Sequence, residues 1–310
     1  MDNNQLKDYV LKYSVIASKR FRKKEKIRYI NNIEKEFKSF QYETSILSPV
    51  GGKGKSIDLL IGDVKKSKIL IIANYDTPIK SFGLYKYKPF NVNFQRNTYF
   101  VTVFITMLIL CLVCFAYTLQ FVRIQWLEGI FKASDILHIT IYLLFIYGIY
   151  KCSKGIPNRT NVNRNSSGVI ALLVLAKHFK DISKKDVAFI LTDYGCINHN
   201  GDMMVKEYLK HIDKKNVILL DSIGKGESLA VNYSPSMQQI VTQLPSHIEK
   251  YLRDMKEYSM ANIYKNCLIF SRGIKEKDCF YVPNVAISKD NDMDLDKIVE
   301  ICEIIQKILG

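Results

Sequence analysis

The sequence lacks the features that mark a secreted, disulfide-bonded protein. Its first 20 residues contain no apolar core of the kind that a signal peptide needs. Its seven cysteines are odd in number. The single Cys-x-x-Cys spacing, Cys111 to Cys114, lies inside an apolar run, where thiols act as buried hydrophobic groups. These absences favour a reducing compartment.

Acidic residues are scarce relative to basic ones, with 30 Asp and Glu against 45 Lys and Arg, which leaves a formal net charge of +15. Such a surplus is typical of proteins that bind nucleic acid or anionic lipid, and of the cytosolic flanks of membrane spans. Here the basic residues concentrate beside apolar segments, up to Arg96 and again from Lys151 to Arg164. No known nucleic-acid-binding motif is present. The charge therefore favours a membrane and predicts no nucleic-acid partner.

Two apolar runs interrupt the chain. Between Arg96 and Arg123 lie 26 residues without a charge, more than the roughly 20 that cross the hydrocarbon layer. The second run, Ile136 to Tyr150, is 15 residues long and is followed by Lys151, which can reach the headgroups. We predict an inserted two-helix transmembrane hairpin at residues 98–150. A buried core hairpin or a dimer interface in a soluble protein remains the alternative.

Charge around the hairpin predicts its orientation. The loop 120–135 carries only Arg123 and Lys132 as cations, whereas both outer flanks are rich in Lys and Arg. The positive-inside rule then predicts a cell-membrane protein with two spans, the lipid bilayer as a partner and the main domain in the cytoplasm. That domain would combine residues 1–97 and 151–310, with N-terminal helices within 1–40.

Short apolar runs alternate with helical patterns in the rest of the chain. Strands are predicted at 42–47, 57–61, 69–73, 187–192, 217–220, 229–231, 267–270 and 285–288, and helices at 4–19, 25–40, 167–180, 202–211, 236–255 and 294–309. This alternation is typical of an α/β sandwich around a mostly parallel sheet. The glycine-rich segment 51–56 looks like a phosphate loop, but Pro49 stands where that motif needs glycine and a strand follows, so we interpret it as a hairpin turn.

Five segments carry a family resemblance. They are the strand ending in Asn-Tyr-Asp at 69–77, the turn with Asn-Ser-Ser-Gly at 163–169, the strand ending in Thr-Asp-Tyr-Gly at 189–195, the strand closing on Asp-Ser-Ile-Gly at 217–224 and the closing segment 277–286. In this order they resemble the zinc-dependent aminopeptidases of metallopeptidase family 28, which includes glutaminyl-cyclase-like members. The resemblance implies an aminopeptidase-like three-layer sandwich around a mixed, mostly parallel sheet, with its site at the carboxyl ends of the strands.

The resemblance also implies a two-zinc site, in which His and carboxylate ligands hold the ions and a Glu is the general base. The matching positions are Asn74 for the first His, Asp76 for the carboxylate that orients it, Arg164 for the bridging Asp, Thr192 for the general-base Glu, Asp193 for the second Glu, Asp221 for the ligand Asp and Lys277 for the last His. Only Asp193 and Asp221 remain as ligands, and two carboxylates alone make a poor zinc site. We therefore expect a vestigial site with no catalytic residue, no metal ligand and no cofactor.

A shifted alignment does not supply the missing ligands. Of the five histidines, His138 lies in a predicted span and three lie in helical patterns, which leaves His199 as the one loop candidate. We expect ion pairs to replace the metals, with Arg164 and Lys277 as the cations.

The sequence thus predicts a membrane-anchored, catalytically inactive aminopeptidase-like protein that acts as a peptide- or protein-binding scaffold. Its partner would be a membrane protein or a peptide. The alternative is an active membrane-bound metallo-aminopeptidase-like hydrolase with a rebuilt metal site, for which zinc would be the cofactor.

Overall fold

The structure is a computed structural model that describes residues 3–49, 56–81, 86–122, 133–180, 186–253, 263–277 and 279–310. Its helices are α1 (Asn3–Val10), α2 (Lys23–Ser39), α3 (Val92–Tyr117), α4 (Ala133–Cys152), α5 (Ser167–Phe179), α6 (Asn200–Tyr208), α7 (Gln238–Thr242) and α8 (Leu295–Leu309). Its strands are β1 (Thr44–Leu47), β2 (Asp58–Ile61), β3 (Ile69–Asn74), β4 (Val187–Thr192), β5 (Asn216–Leu220), β6 (Ser228–Tyr233), β7 (Glu249–Leu252), β8 (Asn266–Glu276) and β9 (Cys279–Tyr281). The glycine-rich residues 51–55 lie outside the described residues.

One mixed sheet organises the fold. Its strand order is β1-β2-β4-β3-β5-β8-β6-β7, with β9 paired to β8. The central strands β4, β3, β5 and β8 run parallel, while β1, β2 and β6 are antiparallel to the strands that link them to this centre. Strands from both sides of the apolar pair α3 and α4 therefore share one sheet.

The sheet is covered on both faces because its central strands are apolar at nearly every position. In β3, Leu70 and Ile72 join one buried cluster and Ile71 and Ala73 the other, as the two-residue period of a strand requires. Helices α1, α2, α5 and α8 pack on the face of Ile71 and Ala73, and α6 packs on the face of Leu70 and Ile72. This three-layer arrangement confirms the predicted α/β fold class.

Several predicted elements differ in the structure. The helix predicted at 236–255 is only α7, because Pro245 follows shortly and the chain then enters β7. The strand predicted at 285–288 is a set of turns, in which Asn284 and Ala286 have φ of 64° and 60°, values that a strand cannot contain. Strand β8 continues for six residues beyond Phe270, where it was predicted to end.

The apolar pair α3 and α4 is long and apolar enough to cross a membrane by length and composition. In the windows Phe100–Phe121 and Asp135–Cys152, none of the residues is buried. Side chains such as Phe100 and Leu144 are about two-thirds exposed, at 68% and 64%. A core hairpin of a monomeric soluble protein would bury these groups, since exposing apolar area to water costs free energy.

The connections to this apolar pair run side by side. The segments before α3 and after α4 form an antiparallel bridge between Ile79 and Pro157. The backbone amide of Asn158 donates to the carbonyl oxygen of Pro78 at 2.9 Å. Both connections therefore leave the domain from one place, close to the carboxyl ends of the central strands.

Candidate functional site

The site lies where β4, β3 and β5 end next to one another. Strand β3 ends at Asn74 and β4 at Thr192, and these two residues are register partners. Asp76, Asp193 and Asp221 follow these strand ends, and all three are buried. Because neighbouring parallel strands end at the same edge, residues far apart in the sequence meet here.

Arg164 pairs with the carboxylate after β5. It lies in the π-helical turn Val162–Ser166 before α5, is buried, and donates from Nη1 to Oδ1 of Asp221. The hydroxyl of Tyr87 donates to the other oxygen, Oδ2, at 2.6 Å. The Arg164 guanidinium also stacks 4.0 Å from the centroid of the Tyr87 ring. Asp221 is thus held by a cation and a phenol at once.

Lys26 pairs with the carboxylate after β4. Its ammonium donates to Oδ1 of Asp193, and both side chains are almost fully buried, at 5% and 0% exposed. The amide of Tyr194 donates to Oδ1 at 2.8 Å and that of Ile57 to Oδ2 at 3.3 Å. The ammonium also lies 3.9 Å from the Tyr194 ring centroid. These donors satisfy the buried charge of Asp193.

Asp76 is embedded in polar contacts rather than in a direct ion pair with another described residue. The amide of Cys196 donates to its Oδ2 at 3.2 Å. Its backbone carbonyl accepts from the side-chain amides of Asn161 and Asn165. These contacts tie the end of β3 to the turn that carries Arg164.

The position expected for a general base holds a hydroxyl that is already engaged. Thr192 donates from Oγ1 to Oδ1 of Asn74 at 2.6 Å, and both side chains are buried. A neutral hydroxyl is no base at neutral pH. A Cβ at Gly195 would lie 2.0 Å from Cγ of Asn74, so the absence of a side chain at Gly195 leaves room for this amide.

Burial dominates the ionisation of these groups. It raises the pKa of Asp193 to about 7, against the lowering effect of Lys26. Burial lowers the pKa of Lys26, but Asp193 and Asp76 outweigh it, so the pKa is raised and the ammonium stays charged. Burial, reinforced by Asp76, also raises the pKa of the Cys196 thiol, which keeps it protonated and removes it as a nucleophile.

Two further residues that the sequence singled out are Lys277 and His199. Placing Lys277 at the site was wrong, because this residue is exposed at the turn between β8 and β9 with φ of 53°. His199 is buried, and its Nδ1 lies 3.0 Å from Oδ2 of Asp202, whose other oxygen, Oδ1, accepts from the Tyr264 hydroxyl. This histidine therefore belongs to a buried hydrogen-bonded cluster.

Sequence reasoning missed Lys26 and Tyr87. Lys26 had a readable signal, since it lies on the same helical face as Tyr29, Ile30 and Ile33, all of which are buried. A lysine on the apolar face of an amphipathic helix needs a buried partner. Tyr87 gave no comparable signal, because it lies in an irregular segment.

Comparisons with known proteins identify the fold. No protein-family profile matches the chain, and no curated protein is a significant sequence match. Solved structures do match over 99% of the chain. They include a Zn-dependent exopeptidase from Parabacteroides distasonis (11% identity, 97% of that chain, TM-score 0.61), a leucine aminopeptidase precursor from Bacteroides thetaiotaomicron (14%, 96%, 0.58) and glutaminyl cyclase from Tannerella forsythia (11%, 97%, 0.59). At these identities the comparison shows the fold alone: the chain has the aminopeptidase-like fold.

The expectation that the protein has no cofactor was wrong, because the similar structures include an exopeptidase described as Zn-dependent. Within the described ranges, no group of three or more His, Cys, Asp or Glu side chains is placed to hold a metal ion. Asp193 and Asp221 each bind a cationic side chain, so the arrangement does not fit a zinc centre as it stands. A zinc ion on these carboxylates would have to displace Lys26 or Arg164.

Proposed function

We propose that this protein is a membrane-anchored, catalytically inactive protein of the aminopeptidase-like fold that binds a peptide or a protein partner. The observation that carries the proposal is the pairing at the strand ends. The two carboxylates retained at expected ligand positions, Asp193 and Asp221, each bond to a buried cation. The position of the general base is a threonine whose hydroxyl donates to Asn74.

Anchoring is supported by the exposure of α3 and α4. In the two apolar windows, Phe100–Phe121 and Asp135–Cys152, none of the residues is buried. A span of about 20 residues crosses the hydrocarbon layer, and α3 and α4 have 26 and 20 residues. The chain would insert this pair as a hairpin between residues 1–97 and 151–310.

The orientation of the site supports a partner at the membrane. Tyr87, which bonds to Asp221, lies five residues before Val92, where α3 begins. The bridge between Ile79 and Pro157 sets both connections at the same edge of the sheet. The strand-end face would therefore look toward the bilayer, where an emerging peptide or the membrane-proximal part of another protein can reach it.

Hydrolysis is tested with aminoacyl reporter substrates and the purified full chain, with zinc added and removed. We expect no turnover above that of the double variant Arg164→Met, Asp221→Asn, which loses the ion pair but keeps an acceptor for Tyr87. Zinc content is measured by elemental analysis in the same samples. Turnover in the wild type that the double variant lacks would establish the hydrolase alternative.

Partner binding is tested by photo-cross-linking in native membranes. The exposed residues Asn198 and Asn200 follow β4 at the strand-end face, whereas exposed Lys265 lies at the opposite end of the sheet, before β8. We expect adducts with a membrane-associated protein or peptide from positions 198 and 200, and none from 265. Equal labelling from all three positions would contradict a binding face at the strand ends.

A further inference from the structure

A large cavity lies beside the strand-end site, between α2 and the end of α4. Its volume is about 970 Å³. Its lining comes from the beginning of α2, the end of β1, the residues just before β2, the segments after β3 and β4 and the turn after α4. Among the residues at the strand ends, Asp76 and Lys26 reach it, whereas Arg164 and Asp221 do not line it. The cavity thus adjoins Asp76 and the Lys26–Asp193 pair, and the Arg164–Asp221 pair is not part of its lining.

One wall of the cavity is apolar. Ile30 and Ile57 form its buried part. Ile27 and Ile46 extend the wall outward and remain 39% and 48% exposed. Exposed isoleucines that continue a buried apolar wall offer a surface for a hydrocarbon segment.

The rim of the cavity is cationic. Arg22 and Lys23 at the start of α2 are exposed, and Lys154, in the turn after α4, is exposed and lines the same cavity. The nearby acidic group Glu25 is engaged elsewhere, because it accepts from the backbone amides of Phe21 and Arg22 and pairs with Lys19. Asp76 lines the inner part of the cavity and is buried. The rim therefore favours an anion, and the inner wall an apolar group.

The cavity extends to the end of α4. Ser153 and Lys154 line it and directly follow Cys152, the last residue of α4. The Lys154 ammonium donates to the hydroxyl of Tyr150 at 2.7 Å and lies 4.2 Å from that ring's centroid. Tyrosine and lysine together are typical of the headgroup level of a bilayer. This places the cationic rim beside lipid headgroups once α4 spans the membrane.

We infer that this cavity binds the phosphate-bearing headgroup of an anionic phospholipid from the adjoining leaflet. Arg22, Lys23 and Lys154 pair with the phosphate, and Ile27 and Ile46 contact the first part of the acyl chains. The inference rests on the proposed membrane anchoring. We assign a lipid rather than an acidic peptide to the cavity, because its cationic rim and its exposed apolar wall meet at the end of a span.

The test uses the purified full chain in detergent, titrated with phosphatidylglycerol or phosphatidylcholine and read by native mass spectrometry. We expect phosphatidylglycerol to bind more tightly than phosphatidylcholine. The double variant Arg22→Gln, Lys23→Gln should weaken phosphatidylglycerol binding by roughly 10- to 30-fold, the effect expected for two basic residues beside an anionic headgroup.

The matched control is Lys24→Gln, Arg28→Gln, which removes one Lys and one Arg from the same exposed stretch of α2 without touching the cavity. It should bind phosphatidylglycerol as the wild type does. Equal loss in both double variants, or equal binding of the two lipids, would overturn the inference. Displacement of the lipid by glycerol 1-phosphate at equal concentration would assign the site to a soluble phosphate. Displacement by a polyglutamate peptide would assign it to an acidic peptide. Either result would overturn the inference that the cavity binds a phospholipid.

A separate experiment tests whether the protein is anchored in the membrane. Carbonate washing of membranes releases a peripheral protein and leaves an integral one, whether or not the cavity binds lipid. Thermal unfolding of each variant in the same detergent shows that the substitutions leave the fold intact, as expected for exposed side chains.

Discussion

At the scale of single residues, the site is governed by the cost of burying charge. Asp193 and Asp221 are buried, and each has a cationic partner that is buried as well. A buried ion pair contributes little net stability compared with apolar residues of the same volume, but loss of one partner leaves an uncompensated charge. Lys26 and Arg164 are therefore required as long as the two carboxylates are kept.

Arg164→Met tests this requirement. The substitution leaves the Asp221 carboxylate buried without its cation, and we expect the free energy of unfolding to fall by about 3 to 5 kcal/mol. The double variant Arg164→Met, Asp221→Asn should recover most of that loss, because the amide that replaces the carboxylate is neutral and its oxygen can still accept from Tyr87. Chemical unfolding in detergent measures both. Equal destabilisation of the single and double variants would show that charge is not the cause.

Asp290 makes stability depend on pH. Burial raises its pKa to about 6, although the backbone amides of Asn163 and Arg164 donate to it and oppose the shift. A folded-state pKa above the unfolded value of roughly 3.9 means that the folded protein binds the proton more tightly. The stability from this proton is fully present below about pH 4 and is lost as the pH rises through 6.

We therefore compare Asp290→Asn with the wild type between pH 4 and 8. The free energy of unfolding of the wild type, relative to the variant, should fall by about 2 kcal/mol across this range. Asp292→Asn is the control, since Asp292 is two residues away and its side chain is 67% exposed. A wild-type curve parallel to that of Asp290→Asn would refute a raised pKa.

At the scale of elements, the strands were predictable where packing alone decides. Strand β4 has the predicted bounds, 187–192, because a strand buried on both faces is a continuous apolar run. Strand β8 was predicted too short, since beyond Phe270 it turns polar and pairs with β9. Lys277, which the family resemblance matched to the last His of the site, lies at the exposed turn where β8 ends.

The ion pairs were only partly predictable, for a physical reason. Arg164 lies just before α5 and Asp221 just after β5, at positions that the family resemblance matched to the site, so their neighbourhood could be expected from that resemblance. Lys26 and Asp193 are 167 residues apart, and their contact depends on how α2 packs over the sheet. Such a contact is determined by tertiary packing, which local periodicity does not specify.

Helix α5 should tolerate no added volume at Gly168. A Cβ at this position would lie 2.8 Å from the carbonyl oxygen of Leu220 and 3.2 Å from Cβ of Ala73, so the helix backbone packs directly on β3 and β5. We expect Gly168→Val to lower the free energy of unfolding by about 1 to 3 kcal/mol through overpacking. Gly148→Val in α4 is the control, because its Cβ would meet nothing within 4 Å. Similar loss in both variants would point to helix propensity instead of packing.

At the scale of the whole molecule, the two apolar helices and the site are parts of one arrangement. The segment that leads into α3 contributes Tyr87 to the Arg164 pair, and the turn that leaves α4 contributes Lys154 to the cavity. The segments that join the apolar helices to the sheet thus contribute one side chain to the paired site and one to the cavity.

The orientation of the chain gives the last prediction. If α3 and α4 cross the bilayer as a hairpin, both termini and the whole sheet lie on one side, and the connection 123–132 lies on the other. In sealed inside-out vesicles, added protease should remove tags at residue 1 and residue 310 and spare an epitope inserted within 123–132, because the bilayer shields only that connection. Detergent should make all three sites cleavable, which is the control for a protease-resistant epitope. Cleavage of the 123–132 epitope in intact vesicles would contradict two spans and leave α3 and α4 as an exposed pair on the same side as the sheet.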